Sequence, residues 1–393
     1  MKESPGPTEA ASETGRLQRE LFWIAGIGMV AGLGLAAFVA TQLTPVASLQ
    51  WGLQSGVIWI FACFQTRRRL HLNRPEAGAP LYQNLGWANR LTLLRAWLIA
   101  ATGGFLFQPW PEGPALAWLP GMIYFAAAML DRVDGFVARR THHSSLLGNE
   151  LDVVSDALGL AVASLLAYGW GQVHWSYLLM GAAYYLFHLG LIWRKARGQA
   201  IYPLPPAMHR RAWAGFQMGF LVVALWPLFY PPVTVVAGFA FMLPALIGFV
   251  IDWLIVSGHI NRDDSLADAV FRQLTFFSQT FFQPALRMAI VILLGISIIQ
   301  SGSAPMANSG IAGYSIIAST AFSLAAITIL LGFAGRYFCL LLIGLLGWYY
   351  IGQPMQTVDY ALFCCVVWSM LLGSGRFSLW MEDDRWLNRY DGA

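Results

Sequence analysis

Residues 131–139 read Asp131-Arg132-Val133-Asp134-Gly135-Phe136-Val137-Ala138-Arg139, and the chain resumes the pattern with Gly148-Asn149-Glu150-Leu151-Asp152-Val153-Val154-Ser155-Asp156. Apolar runs flank both halves, Ala115–Arg132 before and Leu151–Gly169 after. An ionised Asp at the centre of a membrane helix costs about 2.5–3.5 kcal/mol on insertion scales. Four of them at the facing ends of two such runs need a compensating partner. Asp131 and Asp134 are three apart and Asp152 and Asp156 four apart, so each pair shares one helix face. The joint between the halves is short enough for the two faces to converge. Converging carboxylates repel one another unless cations sit among them. An all-oxygen ligand set favours Mg²⁺ or Mn²⁺, and two ions bridged by carboxylates clamp a pyrophosphate and the displacement at its phosphorus. Gly135 and Ala138 leave room for a ligand against the helix backbone. Arg139 offers a planar fork to phosphate oxygens, and Gly148 loosens the turn into the following helix. The plain alternative is an ion-pair network in which Arg132, Arg139 and Arg140 tie two helices together.

Working outward, the chain has 393 residues, 57% hydrophobic and 11% charged, against about 25% charged in an ordinary soluble domain. That composition excludes a soluble enzyme, a disordered chain and a nucleic-acid-binding domain. Twelve apolar runs are candidate spans, a span needing about 17–25 residues: Leu21–Leu43, Ala47–Gln65, Leu91–Gln108, Ala115–Arg132, Leu151–Gly169, Trp175–Trp193, Trp213–Tyr230, Val233–Val256, Pro284–Gln300, Ile311–Phe333, Phe338–Ile351 and Val358–Leu372. With the amino terminus inside, every joint on the external side lacks Lys and Arg. The clusters Arg67–Arg69, Arg139–Arg140, Arg194–Arg197 and Arg210–Arg211 all fall on the cytoplasmic side, the positive-inside asymmetry. The expected fold is therefore an all-α integral membrane protein of about twelve spans with both termini cytoplasmic. It divides into a disordered tail 1–20, a helical hairpin with a basic joint 21–83, a six-span core 84–257, an amphipathic linker 258–283 and a four-span block 284–393. Cys63, Cys339, Cys364 and Cys365 lack ligand spacing and read as small hydrophobes.

The two halves quoted above compose D-x-x-D-G-x-x-A-R-(x)8-G-x-x-x-D-x-x-x-D, and the chain resembles the CDP-alcohol phosphotransferase family, whose signature this is. Asn89-Arg90-Leu91-Thr92-Leu93-Leu94-Arg95 is similar to the family's first-span motif P-N-x-L-T-x-x-R, with Ala88 where proline is usual. The resemblance covers residues 84–257. Residues 284–390, closing with Gly373-Ser374-Gly375-Arg376, resemble DoxX-like small membrane proteins.

The resemblance implies roles residue by residue. Asp131, Asp134, Asp152 and Asp156 bind a pair of divalent ions, Mg²⁺ or Mn²⁺, with Asp156 also the general base. Thr92, Gly135, Ala138, Arg139 and Gly148 line the pocket for the CDP group, and Asn89, Arg95, Arg210 and Arg211 are candidate phosphate or acceptor contacts. The implied reaction is attack of an acceptor hydroxyl on the β-phosphorus of a CDP-linked lipid such as CDP-diacylglycerol, with release of CMP. The acceptor would be a small polar alcohol and the assembly a homodimer, with the active site on the cytoplasmic side of a bacterial inner membrane. A cation-coupled transporter and a catalytically silent scaffold are the rival readings, and the inverted repeats expected of a transporter are not visible.

Overall fold

The computed structural model describes residues 7–113, 115–141, 143–204, 208–260, 273, 276–300, 312–350, 354–380 and 382, with side chains described outside 7–13, 208–212 and 312–319. Among the described residues there are twelve α-helices and no strand. They are α1 Pro7–Ala40, α2 Pro45–Arg69, α3 Gly86–Gly103, α4 Leu119–Arg140, α5 Leu146–Gly169, α6 Leu178–Ala196, α7 Met208–Ala224, α8 Val233–Val256, α9 Gln283–Gln300, α10 Ala312–Leu331, α11 Gly335–Tyr349 and α12 Thr357–Leu372.

Each of the twelve apolar runs carries one helix, but six helical stretches are long and apolar enough to cross a membrane: Thr14–Ala40, Pro45–Leu72, Leu146–Gly169, Trp175–Ala196, Val233–Val256 and Ser278–Gln300. Trp213–Ala224, Thr320–Leu331, Gly335–Tyr349 and Thr357–Leu372 are apolar but shorter. Helices α3 and α4 fall outside both groups. Asn89, Arg90, Thr92 and Arg95 dilute the first, and the aspartates and arginines from Asp131 to Arg140 dilute the second.

Disorder was expected over 1–20, yet α1 is helical from Pro7, and Leu17 is fully buried. Leu17 and Leu21 pack among Leu70, Leu147 and Leu151 in one apolar cluster. That burial outweighs the polar composition of the segment. Residues 1–6, His142, most of the linker 258–283 and the joint Ser301–Gly310 lie outside the described residues.

The chain divides into two compact units, residues 1–185 with 221–227 and residues 186–220 with 228–393. In the first unit α3 is central, packing on α2, α4 and α5, while α4 and α5 meet each other sparingly. Indole N–H groups fasten α1 to it: Trp59 Nε1 donates to the Ala25 carbonyl (3.1 Å) and Trp97 Nε1 to that of Gly28 (2.8 Å). At the opposite end of α3, Gln108 Nε2 donates to the Ala47 carbonyl (3.0 Å) and Trp170 Nε1 to that of Gln108 (2.9 Å). In the second unit α12 packs on α8, α9 and α11, and Trp368 Nε1 donates to the Ala240 carbonyl (3.0 Å).

Candidate active site

Helix α5 starts where it does because Ser145 caps it. Its backbone is extended and its hydroxyl accepts the Gly148 N–H at 3.0 Å, satisfying one of the first-turn donors. Asn89 of α3 is buried beside this cap. Its Nδ2 lies 2.7 Å from the Leu85 carbonyl and 3.2 Å from both Ser145 Oγ and Asn73 Oδ1. A Cβ at Gly148 would lie 2.9 Å from Asn89 Oδ1, so only glycine lets the first turn of α5 approach α3 this closely. The basic joint folds onto the same point: the Leu146 N–H donates to the Arg74 carbonyl (2.9 Å) and Tyr82 Oη to that of Ser144 (3.2 Å). These contacts set the depth and rotation of α5, and with them the aim of Asp152 and Asp156.

The aspartates converge through α3. Arg95 is 1% exposed, and its guanidinium carries the charge they face. Its Nη1 lies 2.7 Å from Asp131, 3.0 Å from Asp152 and 4.0 Å from Asp134, and its Nη2 contacts Asp156. Asp134 sits deepest, with the Thr92 hydroxyl 3.0 Å from its Oδ2. The side chains of Asp131, Asp156 and Asp152 are 24%, 29% and 42% exposed, so they form the open lip of the cluster. Among these five side chains, one guanidinium against four carboxylates leaves a formal charge of −3.

That excess tests the fit of a divalent cation. One oxygen from each of Asp131, Asp152 and Asp156 lies within 4.8 Å of the others. Oxygens sharing one Mg²⁺ at about 2.1 Å can stand up to about 4.2 Å apart, so the group is already near ligand spacing. The donor set is hard oxygen, three of its members are accessible, and uncompensated negative charge remains. The residues fit Mg²⁺ or Mn²⁺.

The other residues singled out by sequence occupy different places. Arg139 is exposed and its Nη1 lies 3.4 Å from where a Cβ on Gly135 would stand, so the guanidinium folds back over that glycine. Ala138 is half-buried beside them. Asn89 spends its amide N–H groups on the α3–α5 junction. Arg210 and Arg211 belong to the first turn of α7, and their side chains lie outside the described residues. The guanidinium that all four aspartates share is that of Arg95.

Four contributors were not singled out from sequence. Ser145 had a local signal, a capping residue at the start of an apolar run. Tyr124 lies two turns before Asp131 on the same face of α4, buried, with its hydroxyl making no hydrogen bond among the described residues. Asn73 and Glu20 had no local signal. Glu20 Oε1 lies 2.7 Å from Arg90 Nη2, and its Oε2 accepts the Leu85 N–H at 3.0 Å, just ahead of α3.

Residues 85–254 match the family model described as CDP-alcohol phosphatidyltransferase, and this segment is a domain of that family. Choline/ethanolaminephosphotransferase 2 of Arabidopsis thaliana is 39% identical over 75 residues, 18% of this chain and 19% of that protein. The chain thus spans about a fifth of the length of the curated relative it matches. No solved structure matches. With six helices able to cross a bilayer, the chain is an integral membrane protein.

Proposed function

We propose that this protein transfers a phosphatidyl or related phospho-alcohol group from a CDP-linked lipid, such as CDP-diacylglycerol, to the hydroxyl of an acceptor alcohol, releasing CMP. The observation that carries the reading is the convergence of four aspartates on one buried guanidinium with a charge of −3 left over. Asp131, Asp134, Asp152 and Asp156 would hold two Mg²⁺ or Mn²⁺ ions, which neutralise charge on the diphosphate and on the departing CMP.

The chain's own residues do the rest. Arg95 pins the carboxylates in one array, so little reorganisation is needed when substrate arrives. The Thr92 hydroxyl donates to Asp134 and helps to orient its carboxylate. Asp156, at the accessible lip, accepts the proton of the acceptor hydroxyl as its oxygen bonds to phosphorus and the P–O bond to CMP breaks. Arg139, one turn beyond Gly135 on α4, would meet phosphate oxygens of the CDP group. Basic residues at the ends of α2 and α4 orient this face toward the cytoplasm.

A second reading has a specific support in the plant relative, whose name describes a choline/ethanolaminephosphotransferase. There the CDP-linked alcohol would be the small partner and a lipid hydroxyl the acceptor. Purified protein with Mg²⁺ is assayed for CMP release from CDP-diacylglycerol with water-soluble alcohols, and from CDP-choline or CDP-ethanolamine with diacylglycerol. Release that requires one donor class and vanishes in Asp156→Asn assigns the reaction. No CMP from either donor, with cation-coupled uptake into vesicles instead, overturns the transferase in favour of a transporter.

A further inference from the structure

The four carboxyl-terminal helices bring their ends together around a second polar cluster. Helix α9 starts at Gln283, α10 stops at Leu331, α11 starts at Gly335 and α12 stops at Leu372. The segment after α12 closes over them: the Leu379 N–H donates to the Leu331 carbonyl (3.1 Å) and the Trp380 N–H to that of Gly332 (3.3 Å). In its midst Arg287 of α9 is 5% exposed and Ser374 is 2% exposed.

Several backbone carbonyls of this cluster are already engaged. Gln283 Nε2 donates to the Leu372 carbonyl (3.2 Å), and Arg336 Nη1 to those of Met370 and Leu371 (3.1 and 3.2 Å). Arg287 Nη2 donates to the carbonyls of Arg376 and Phe377 (3.2 and 3.4 Å). The donors are left over. Arg287 Nε and Nη1 and the Ser374 hydroxyl are buried without a hydrogen-bond partner, and no carboxylate among the described residues pairs with Arg287.

A third source of unmet donors lies beside them. Helix α11 opens with Ala334 at its cap position and no side-chain cap; the N–H groups of Tyr337 and Phe338 donate to the Ala334 carbonyl, and that of Gly335, the first residue of the helix, has no backbone partner among the described residues. A Cβ on Gly335, its first residue, would fall 2.2 Å from Ser374 Oγ. A Cβ on Gly332, at φ +64°, would fall 2.1 Å from Arg287 Nη1. These two glycines admit the hydroxyl and the guanidinium to the start of the helix, one beside its first turn and one just ahead of it.

A buried guanidinium without a counter-charge is strongly unfavourable. Unmet donors from a fork, a hydroxyl and a helix start do not lie in one plane. They suit a tetrahedral oxyanion with several acceptor oxygens better than a flat carboxylate. We propose that this end of the four-helix block binds a phosphate group, taken as free phosphate or as the phosphomonoester headgroup of a lipid. Arg287 provides the charge, Ser374 a hydroxyl and the start of α11 the Gly335 N–H. The site lies in residues 283–380, outside the 85–254 match, and does not depend on the transferase reading.

The full chain, purified in detergent with EDTA present, is unfolded thermally against inorganic phosphate at constant ionic strength. A parallel series uses mixed micelles containing phosphatidic acid or phosphatidylcholine. Wild type gains thermal stability with phosphate, with phosphatidic acid or with both, and none with phosphatidylcholine. A response to inorganic phosphate assigns a soluble anion, and a response to phosphatidic acid alone assigns a lipid headgroup. Arg287→Gln weakens the apparent affinity about tenfold or more, and Ser374→Ala weakens it several-fold. If Arg287→Gln does not fold, Ser374→Ala decides. The proposal is overturned if wild type responds to neither probe, or if the folded variants respond as wild type does.

Discussion

Replacing Arg95 by methionine tests whether one buried guanidinium holds the aspartate array together. Methionine keeps an unbranched apolar stem at a position 1% exposed in the wild type while removing the charge. The guanidinium has Nη1 at 2.7 Å from Asp131, 3.0 Å from Asp152 and 4.0 Å from Asp134, with Nη2 on Asp156. A unit pair at 4 Å and an effective dielectric of 20 is worth about 4 kcal/mol before desolvation. Removing one partner of a buried pair costs about 3–5 kcal/mol. Three of the carboxylates are 24%, 29% and 42% exposed, so water screens part of the loss and the low end applies, about 3 kcal/mol. At roughly 2 °C per kcal/mol for a large chain, Tm in EDTA falls by about 6 °C. The substitution takes the cluster from −3 to −4, so Mg²⁺ restores more stability to Arg95→Met than it adds to wild type. Thermal unfolding of both proteins in detergent, with EDTA and with saturating Mg²⁺, measures all four values. An unchanged Tm in EDTA, or a Mg²⁺ response smaller than that of wild type, would refute the counter-ion role.

Asp131→Ala and Asp152→Ala abolish CMP release while the protein still inserts and purifies as a folded chain; wild-type turnover in either variant counts against the metal assignment. Gly148→Ala drives a Cβ to 2.9 Å from Asn89 Oδ1 and costs about 1–3 kcal/mol by overpacking, with a matching loss of activity that a second substitution, Asn89→Ala, partly relieves. Glu20→Gln loses the charge that meets Arg90 at 2.7 Å, lowering stability by about 1 kcal/mol at this partly exposed pair; high salt shrinks the difference between the two proteins. His143, in the joint between α4 and α5, stacks on Tyr82 with ring centroids 3.9 Å apart, and burial pushes its pKa below the ordinary histidine value. The unfolded chain therefore takes up the proton more readily. His143 contributes stability that is complete above about pH 6.5 and is lost as pH falls toward the folded pKa. His143→Gln removes that segment of the stability–pH curve, and an unchanged curve would show that His143 does not titrate differently in the folded protein.

The segments that became helices were legible in the sequence, because apolar runs between polar joints are a local signal and all twelve runs carry a helix. The pairing of aspartates on helix faces was legible for the same reason: a spacing of three or four residues sets an angle about one helix axis without reference to the rest of the chain. How many of those helices could cross a bilayer was less so, since α3 and α4 trade apolar length for site residues.

What only the tertiary structure decided was which groups stand opposite those faces. Helix α3, not a direct meeting of α4 with α5, brings the four carboxylates together, and Arg95 is the guanidinium they share. Glu20, Asn73 and Ser145 set the position of α3 and α5 from as far as seventy residues away in sequence. The partner of a helix face is chosen by side-chain fit summed over every element that could pack there. No single segment encodes that sum, so a charge at the right spacing shows where a site begins, and only the packed helices show what completes it.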